Sequence, residues 1–117
     1  MRRLLFAVGT LLATVAPVMA QDAAKADPKH YKIEFENEHV RVLRITYGPH
    51  EKSVMHEHPN AVAVMLTDGM TRMHLPDGKT VDQPAKAGQA MWTPAGKHLP
   101  ENTTDKPFDV VLMELKK

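Results

Sequence analysis

The chain of 117 residues contains no cysteine. That absence excludes disulfide bonds, thiolate nucleophiles and thiolate metal ligands together. A chain this short must be stabilised by burial of its core, with help from a bound metal ion or from assembly into a homodimer. A metal site and a homodimer are therefore the two features that would compensate for the missing cross-links.

The sequence also lacks an excess of charge of either sign. Lysine and arginine number 15 against 14 acidic residues, which gives a net charge of +1 with neutral histidines. A balance of this kind provides no broad basic surface for nucleic acid or for an anionic membrane. We expect a small-molecule ligand or substrate as the partner, and neither nucleic acid nor a membrane.

The first twenty residues have the composition of a secretory signal peptide. Two arginines follow the first methionine, residues 4–15 are apolar apart from Gly and Thr, and Val18-Met19-Ala20 resembles a cleavage site. The apolar run is shorter than the roughly twenty residues of a spanning helix, which argues against a membrane anchor. We predict a signal peptide over 1–20 and a periplasmic or secreted chain that starts near Gln21. Its 13 basic and 14 acidic residues give it a net charge of −1.

After residue 20 the sequence lacks any amphipathic helical stripe ten residues long. Short β-branched and apolar runs alternate with Gly, Pro and Asp, which predicts an all-β sandwich or barrel. Residues 21–30 are polar and are predicted to form a flexible lead-in to one barrel domain over 31–117. Asp68-Gly69 and Asp77-Gly78 are predicted hairpin turns. The predicted strands are 31–35, 40–47, 62–67, 70–75, a run after residue 78, 89–93 and 108–115.

His56 and His58 form the most informative pattern in the chain. On a strand, residues two apart project to the same face, so both imidazoles point one way. Forty residues after the second of them, a segment punctuated by Gly and Pro ends at His98. Three imidazoles that converge in one cavity would form a metal site, although an isolated pair is more often a surface or hydrogen-bonded feature.

These residues resemble the two sequence motifs of the cupin family. The first motif, G-x5-H-x-H-x(3,4)-E-x6-G, is matched at His56 and His58 and closes at Gly69, but seven rather than five residues separate Gly48 from the first histidine. The second motif, G-x5-P-x-G-x2-H-x3-N, has one residue rather than two before its histidine. It is matched by Gly88, Pro94, Gly96, His98 and Asn102. The resemblance spans residues 48–102 and implies a double-stranded β-helix jelly roll.

The metal-binding glutamate of the family is absent from the first motif. Four residues after the second histidine the chain has Val62, followed by Ala63. We expect Val62 to face the interior from the place of the glutamate. His74 either supplies a fourth ligand or is a barrel-wall histidine with a hydrogen bond of its own.

The resemblance implies a divalent transition metal held by His56, His58 and His98. Iron, manganese, nickel, copper and zinc all accept imidazole, and the sequence does not choose among them. Three neutral ligands leave open positions at which water, dioxygen or a substrate can bind. No general base or activated nucleophile has a recognisable spacing, so the sequence assigns no catalytic residue.

Two functions of different class follow. One is a metal-dependent enzyme, dioxygenase-like, that acts on a small molecule. The other is a non-catalytic module that binds a metal or a small ligand. Room beside the metal would favour the enzyme, and a cavity filled by Met and Trp would favour the module.

Several further residues receive structural predictions. Asn102 is expected to bond backbone near the following bend, and Gly96 to adopt a positive φ in a tight turn. His30, His39 and His50 are expected at the surface.

Overall fold

The structure is a computed structural model that describes Gly9 and residues 21–117. The predicted signal peptide over 1–20 therefore lies, apart from Gly9, outside the described residues. No helix in the described part of the chain is long and apolar enough to cross a membrane. The elements are α1 (Ala23–Ala26), β1 (Tyr31–Glu36), β2 (Val40–Tyr47), β3 (His56–His58), β4 (Ala61–Met65), β5 (Gly69–His74), β6 (Thr80–Ala85), β7 (Ala90–Thr93), β8 (Gly96–Asn102) and β9 (Phe108–Leu115).

The strands form two antiparallel sheets that face each other. One has the order β1-β2-β9-β4-β7 and the other the order β3-β8-β5-β6. Apart from the β1-β2 and β5-β6 pairs, each strand is followed along the chain by a strand of the opposite sheet. This winding between two sheets is the double-stranded β-helix jelly roll, so the predicted all-β fold is confirmed.

The core lies between the sheets because alternate residues of the long strands point inward. In β4 and β9 every second residue is buried, beginning at Ala61 and at Phe108. The buried cluster consists of Ala23, Tyr31, Leu43, Ile45, Tyr47, Ala61, Ala63, Met65, Ala85, Phe108, Val110 and Leu112.

The two predicted hairpin turns have different outcomes. Asp77-Gly78 joins the paired strands β5 and β6, and Gly78 has a φ of 85°, as a tight turn requires. Asp68-Gly69 joins β4 to β5, which belong to different sheets, so the predicted hairpin there is wrong. Gly69 is needed for another reason, since a Cβ at this position would lie 2.5 Å from the Phe108 ring.

Residues 21–30 differ from the expected flexible lead-in. Ala23 is fully buried in the core cluster, and the backbone NH of Glu57 in β3 donates to the carbonyl of Gln21. His30 is also buried, with 6% of its surface exposed, so the prediction of a surface position is wrong for His30. The polar composition of the segment did not predict these contacts, because its acids and its histidine form hydrogen bonds to residues far along the chain.

Candidate metal centre

The three histidines predicted as ligands come together on two paired strands. β3 and β8 are antiparallel neighbours, and His56 lies directly opposite His98. His56 and His58 share the inward face of β3 and are almost fully buried, whereas Glu57 between them is exposed. The ring centroids of the three imidazoles lie 4.7–5.2 Å apart. Each ring offers one nitrogen, and these nitrogens all lie within 4.8 Å of one another.

Hydrogen bonds on the outer sides of the pair set the tautomers. Nδ1 of His56 lies 2.8 Å from the Val54 carbonyl, which can only accept, so this nitrogen carries the proton. Nδ1 of His58 lies 2.6 Å from Oε2 of Glu114 and likewise donates. The Nε2 atoms of both rings therefore face the site, in the orientation that metal-ligating histidines adopt.

One of the three inner nitrogens lacks a hydrogen-bond partner within the described part of the chain, and the other two lie close to each other. The Nε2 atoms of His56 and His58 lie 2.9 Å apart, a distance at which the two rings can share one proton or one bound cation. Nε2 of His98 is buried and has no hydrogen-bond partner among the described residues. Buried polar atoms are seldom left unpaired, because the cost is about 1–3 kcal/mol. The donor set thus fits a divalent ion.

Electrostatics keep two of the imidazoles neutral. Burial, followed by the proximity of His58, lowers the pKa of His56 to about 4. Burial, followed by the proximity of His58 and then His56, lowers the pKa of His98 to about 3. Neutral imidazole is the form that binds metal, so protons do not compete for these two ligands near neutral pH.

Glu114 is a site residue that the sequence analysis missed. Its carboxylate is 2% exposed and bridges Nδ1 of His58 to Arg41, whose Nε donates to Oε1 over 2.6 Å. The signal lay in the alternation of β9, which puts Glu114 on the same buried face as Val110 and Leu112. This carboxylate supplies negative charge behind a ligand histidine, where the family motif would place a glutamate on the metal itself.

Val62 does not occupy the place of that glutamate, contrary to the sequence prediction. Ala61, Ala63 and Met65 form the buried face of β4, and Val62 points to the other side. The register is thus one residue further along, so Ala63 takes the inward position and lines the cavity beside His58. The spacing of the motif allowed both assignments, and only the pleat of the strand decides between them.

His74 is a barrel-wall histidine with a bond of its own. Its Nε2 lies 2.8 Å from Oε1 of Glu101, and its side chain is one-third exposed. It is not a member of the histidine cluster. His50 and His39 have exposed side chains, as predicted, and His50 contacts Asp105 over 2.5 Å.

The second motif supports the site from outside. Asn102 is fully buried, and its Nδ2 donates to the carbonyls of Gly48 and Lys106 while its Oδ1 accepts from Thr104. The predicted role in bonding backbone is confirmed. Gly96 begins β8 and is not among the residues with positive φ, which include Gly88, so the prediction for Gly96 is wrong.

A cavity of about 370 Å³ extends from the histidines into the barrel. His58 and His98 form one end of its wall, and the rest is mostly apolar, with Ile45, Met65, Met73, Leu75, Val81, Phe108, Val110 and Leu112 among the lining residues. Lys97, which is exposed, is the one lining residue of the described chain with a side chain charged at neutral pH. The methionines and Trp92 line the space and do not fill it.

Tyr31 and Tyr47 add hydroxyl groups to the same wall. Their hydroxyls are hydrogen-bonded to each other, and the Tyr31 ring centroid lies 4.8 Å from that of His56. Burial raises the pKa of both tyrosines, so both remain protonated at neutral pH. The pair can donate a hydrogen bond to a ligand but is poorly suited to act as a base.

Comparison with known proteins gives structural matches only. No family model matches the chain, and no curated protein matches it. A cupin domain from Bordetella pertussis aligns with a TM-score of 0.70 and 27% identity over 74% of this chain and 92% of its own. A Klebsiella pneumoniae protein with a double-stranded β-helix domain aligns with a TM-score of 0.59 and 17% identity over 81% of this chain and 87% of its own. The polyketide cyclase RemF of Streptomyces resistomycificus aligns with a TM-score of 0.56 and 15% identity over 74% of this chain and 64% of its own.

Proposed function

Because this chain is a small single-domain cupin, we propose that it binds a divalent transition metal through His56, His58 and His98 and acts as a metal-dependent enzyme on a small molecule. The observation that carries the proposal is a cavity of about 370 Å³ whose wall includes His58 and His98, next to a cluster of three imidazoles in which Nε2 of His98 has no hydrogen-bond partner among the described residues. A volume of this order falls within the range of small-molecule sites.

The residues that line the cavity favour one kind of substrate. Its wall is largely apolar, and no Asp, Glu or Arg of the described chain lines it. A cationic substrate would lose its hydration without gaining a partner, which is costly. We therefore propose an uncharged, largely apolar molecule of small size. A hydroxyl or carbonyl on it would accept or donate a hydrogen bond at the Tyr31–Tyr47 pair.

The proposed reaction class is dioxygenation. A metal held by three neutral histidines keeps its full positive charge and has open positions for dioxygen and substrate. The residues of this chain have simpler roles: the histidines hold the ion, the apolar wall excludes water, and the tyrosine pair orients the substrate. Iron, manganese, nickel, copper and zinc all remain candidates.

The compartment we propose is the periplasm or the exterior of the cell. The support for it is the signal-peptide composition of residues 1–20. The absence of cysteine is compatible with any redox compartment and does not select one.

Elemental analysis of protein purified from its native compartment tests the metal, and oxygen uptake tests the reaction. We expect one transition-metal ion per chain in the parent protein and in His74→Ala, and none in His98→Ala. Uncharged phenols and diketones should stimulate oxygen uptake, whereas cationic analogues of equal size should not.

A non-catalytic module is the alternative, and it is favoured by the lack of a carboxylate base on the described cavity wall. Stoichiometric metal without oxygen uptake on any uncharged substrate would support the module. A parent protein that contains no metal and binds none on titration would reject both forms of the proposal.

A further inference from the structure

Residues 21–30 lie directly behind the histidine pair. The Gln21 carbonyl accepts a hydrogen bond of 3.0 Å from the backbone NH of Glu57, the residue between His56 and His58. Asp22 also forms an isolated parallel bridge with Glu57. Ala23 anchors the segment in the core. The backbone of this segment thus extends the sheet at the strand that carries two of the three proposed ligands.

One hydrogen-bonded chain runs from Asp22 to His58. The carboxylate of Asp22 accepts from both terminal nitrogens of Arg41, one of them at 3.1 Å. Nε of Arg41 donates to Oε1 of Glu114, and Oε2 of Glu114 accepts from Nδ1 of His58. The hydrogen bond from Arg41 lowers the pKa of Asp22, so its carboxylate is charged at neutral pH. Charges alternate in sign from Asp22 through Arg41 to Glu114, which favours one fixed arrangement of these side chains.

A second chain runs from Asp27 to His56. Oδ2 of Asp27 accepts from the Ser53 hydroxyl over 2.6 Å and also bonds Nδ1 of His30 over 2.7 Å. Because the single hydroxyl hydrogen of Ser53 goes to Asp27, its oxygen can only accept at Nδ1 of His56, 3.3 Å away. Burial alone would raise the pKa of Asp27, but the bonds from Ser53 and His30 hold it below its ordinary value.

Both chains end on the outer nitrogen of a different proposed ligand. Outer partners of this kind fix the tautomer and the ring orientation of metal-bound histidines and raise their basicity. His98 has no such support, since the bonds described above reach only the β3 pair. The two acids that support the pair lie only five residues apart in the sequence.

We propose that Asp22 and Asp27 are positioning residues of the metal centre, so that residues 21–30 form part of the site and the site is complete only when this segment is docked. The inference rests on the proposed metal site. It extends that site to two acids that touch neither the metal nor the cavity wall.

Titration of the apoprotein with Co²⁺, followed by visible absorption, tests the proposal. Removing an outer partner of a ligand typically costs about 10–100-fold in metal affinity, so we expect that loss in Glu114→Gln. Ser53→Ala removes a longer contact of His56, and Asp22→Asn acts two bonds beyond Glu114, so for both we expect a smaller rise in Kd of about 3–10-fold. Glu34→Gln is the matched control. It breaks a carboxylate–arginine pair with Arg44 in the same sheet that reaches no histidine.

The ring-nitrogen NMR signals of the apoprotein separate positioning from simple stabilisation. We expect protonated Nδ1 on His56 and His58 in the parent protein and in both variants, because Val54 and Glu114 still accept, with a shifted Nδ1 signal of His58 in Asp22→Asn and of His56 in Ser53→Ala. Parent-like Kd and parent-like ring-nitrogen signals in both variants would overturn the proposal while leaving the metal site intact. A parent that binds no Co²⁺ would overturn both together. If Asp22→Asn does not fold, Ser53→Ala alone decides the outcome through the His56 signal.

Discussion

The histidine pair on β3 and the single histidine on β8 are held in different ways. His56 donates from Nδ1 to the Val54 carbonyl and His58 to the buried carboxylate of Glu114, so both rings are fixed from behind. His98 lies opposite on the neighbouring strand, but its buried Nε2 has no partner among the described residues. The proposed metal site therefore has two parts. One is a pair of rings held by outer hydrogen bonds, and the other is a ring whose inner nitrogen is unpaired within the part of the chain that the structure describes. Metal binding should therefore depend on all three rings, and the stability of the apoprotein mainly on the pair.

Removing the ring of His98 or of His58 should give the largest effects, and the two variants test the difference between the pair and the single ring. We expect His98→Ala to weaken Co²⁺ binding by at least about 100-fold while the apoprotein keeps its stability, because a buried unpaired nitrogen is removed. His58→Ala should lose metal to the same degree and also lower the free energy of unfolding by about 2 kcal/mol, because Glu114 loses a charge-assisted hydrogen bond. Urea denaturation of the two apoproteins, with metal titration alongside, measures the difference. Equal losses of stability would contradict the division into pair and single ring.

The pH dependence of stability should show the next largest effect. The folded-state pKa is about 4 for His56 and about 3 for His98, below the ordinary histidine value of about 6.5. Below pH 6.5 the unfolded chain therefore binds protons at His56 and His98 that the folded chain does not bind. The contribution of the neutral rings to the free energy of unfolding is complete above pH 6.5. It decreases as the pH falls towards 4 for His56 and towards 3 for His98. The slope should be roughly 1.4 kcal/mol per pH unit for each histidine.

Apoprotein urea denaturation at pH 7, 6 and 5 measures this slope. The variant His98→Ala should lose about one histidine's share of it. A parent protein whose stability is flat between pH 7 and 5 would show that the two rings are not buried in neutral form.

Asn102→Ala separates the frame of the barrel from the metal site. Asn102 is fully buried and bonds Gly48, Lys106 and Thr104, so its loss should lower the free energy of unfolding by about 2–3 kcal/mol. Metal stoichiometry in the folded variant should remain that of the parent. A folded Asn102→Ala variant without metal would instead place Asn102 in the support of the site.

The pair of variants Ala63→Glu and Val62→Glu should give the smallest effect and tests the register of β4. Ala63 lines the cavity and Val62 faces away from it, so only Ala63→Glu adds a carboxylate on the side of the histidines. We expect its Co²⁺ affinity to rise about 10-fold and that of Val62→Glu to stay unchanged, since an anionic oxygen is a further ligand for a divalent ion. Isothermal titration of both variants measures this. Tighter binding in Val62→Glu would restore the sequence-based register.

Much of the fold followed from local patterns. The strands over 40–47 and 108–115 have the predicted bounds because their alternation of apolar residues directly specifies one inward face. The long strand β8 was not predicted, since Gly96 and Pro100 interrupt its apolar pattern and suggest a turn. The hairpin predicted at Asp68-Gly69 failed because turn composition marks a change of direction without saying which sheet the next strand enters.

The amino-acid sequence by itself determined the class of fold and the three histidines, because strand alternation and motif spacing are local properties of the chain. The tertiary structure alone decided what surrounds those histidines. Glu114, Arg41 and Asp22 lie on separate segments, and the bonds that join them to His58 connect residues 19 to 73 positions apart. Such contacts depend on how two sheets and the segment before β1 pack together, and no local pattern encodes that packing.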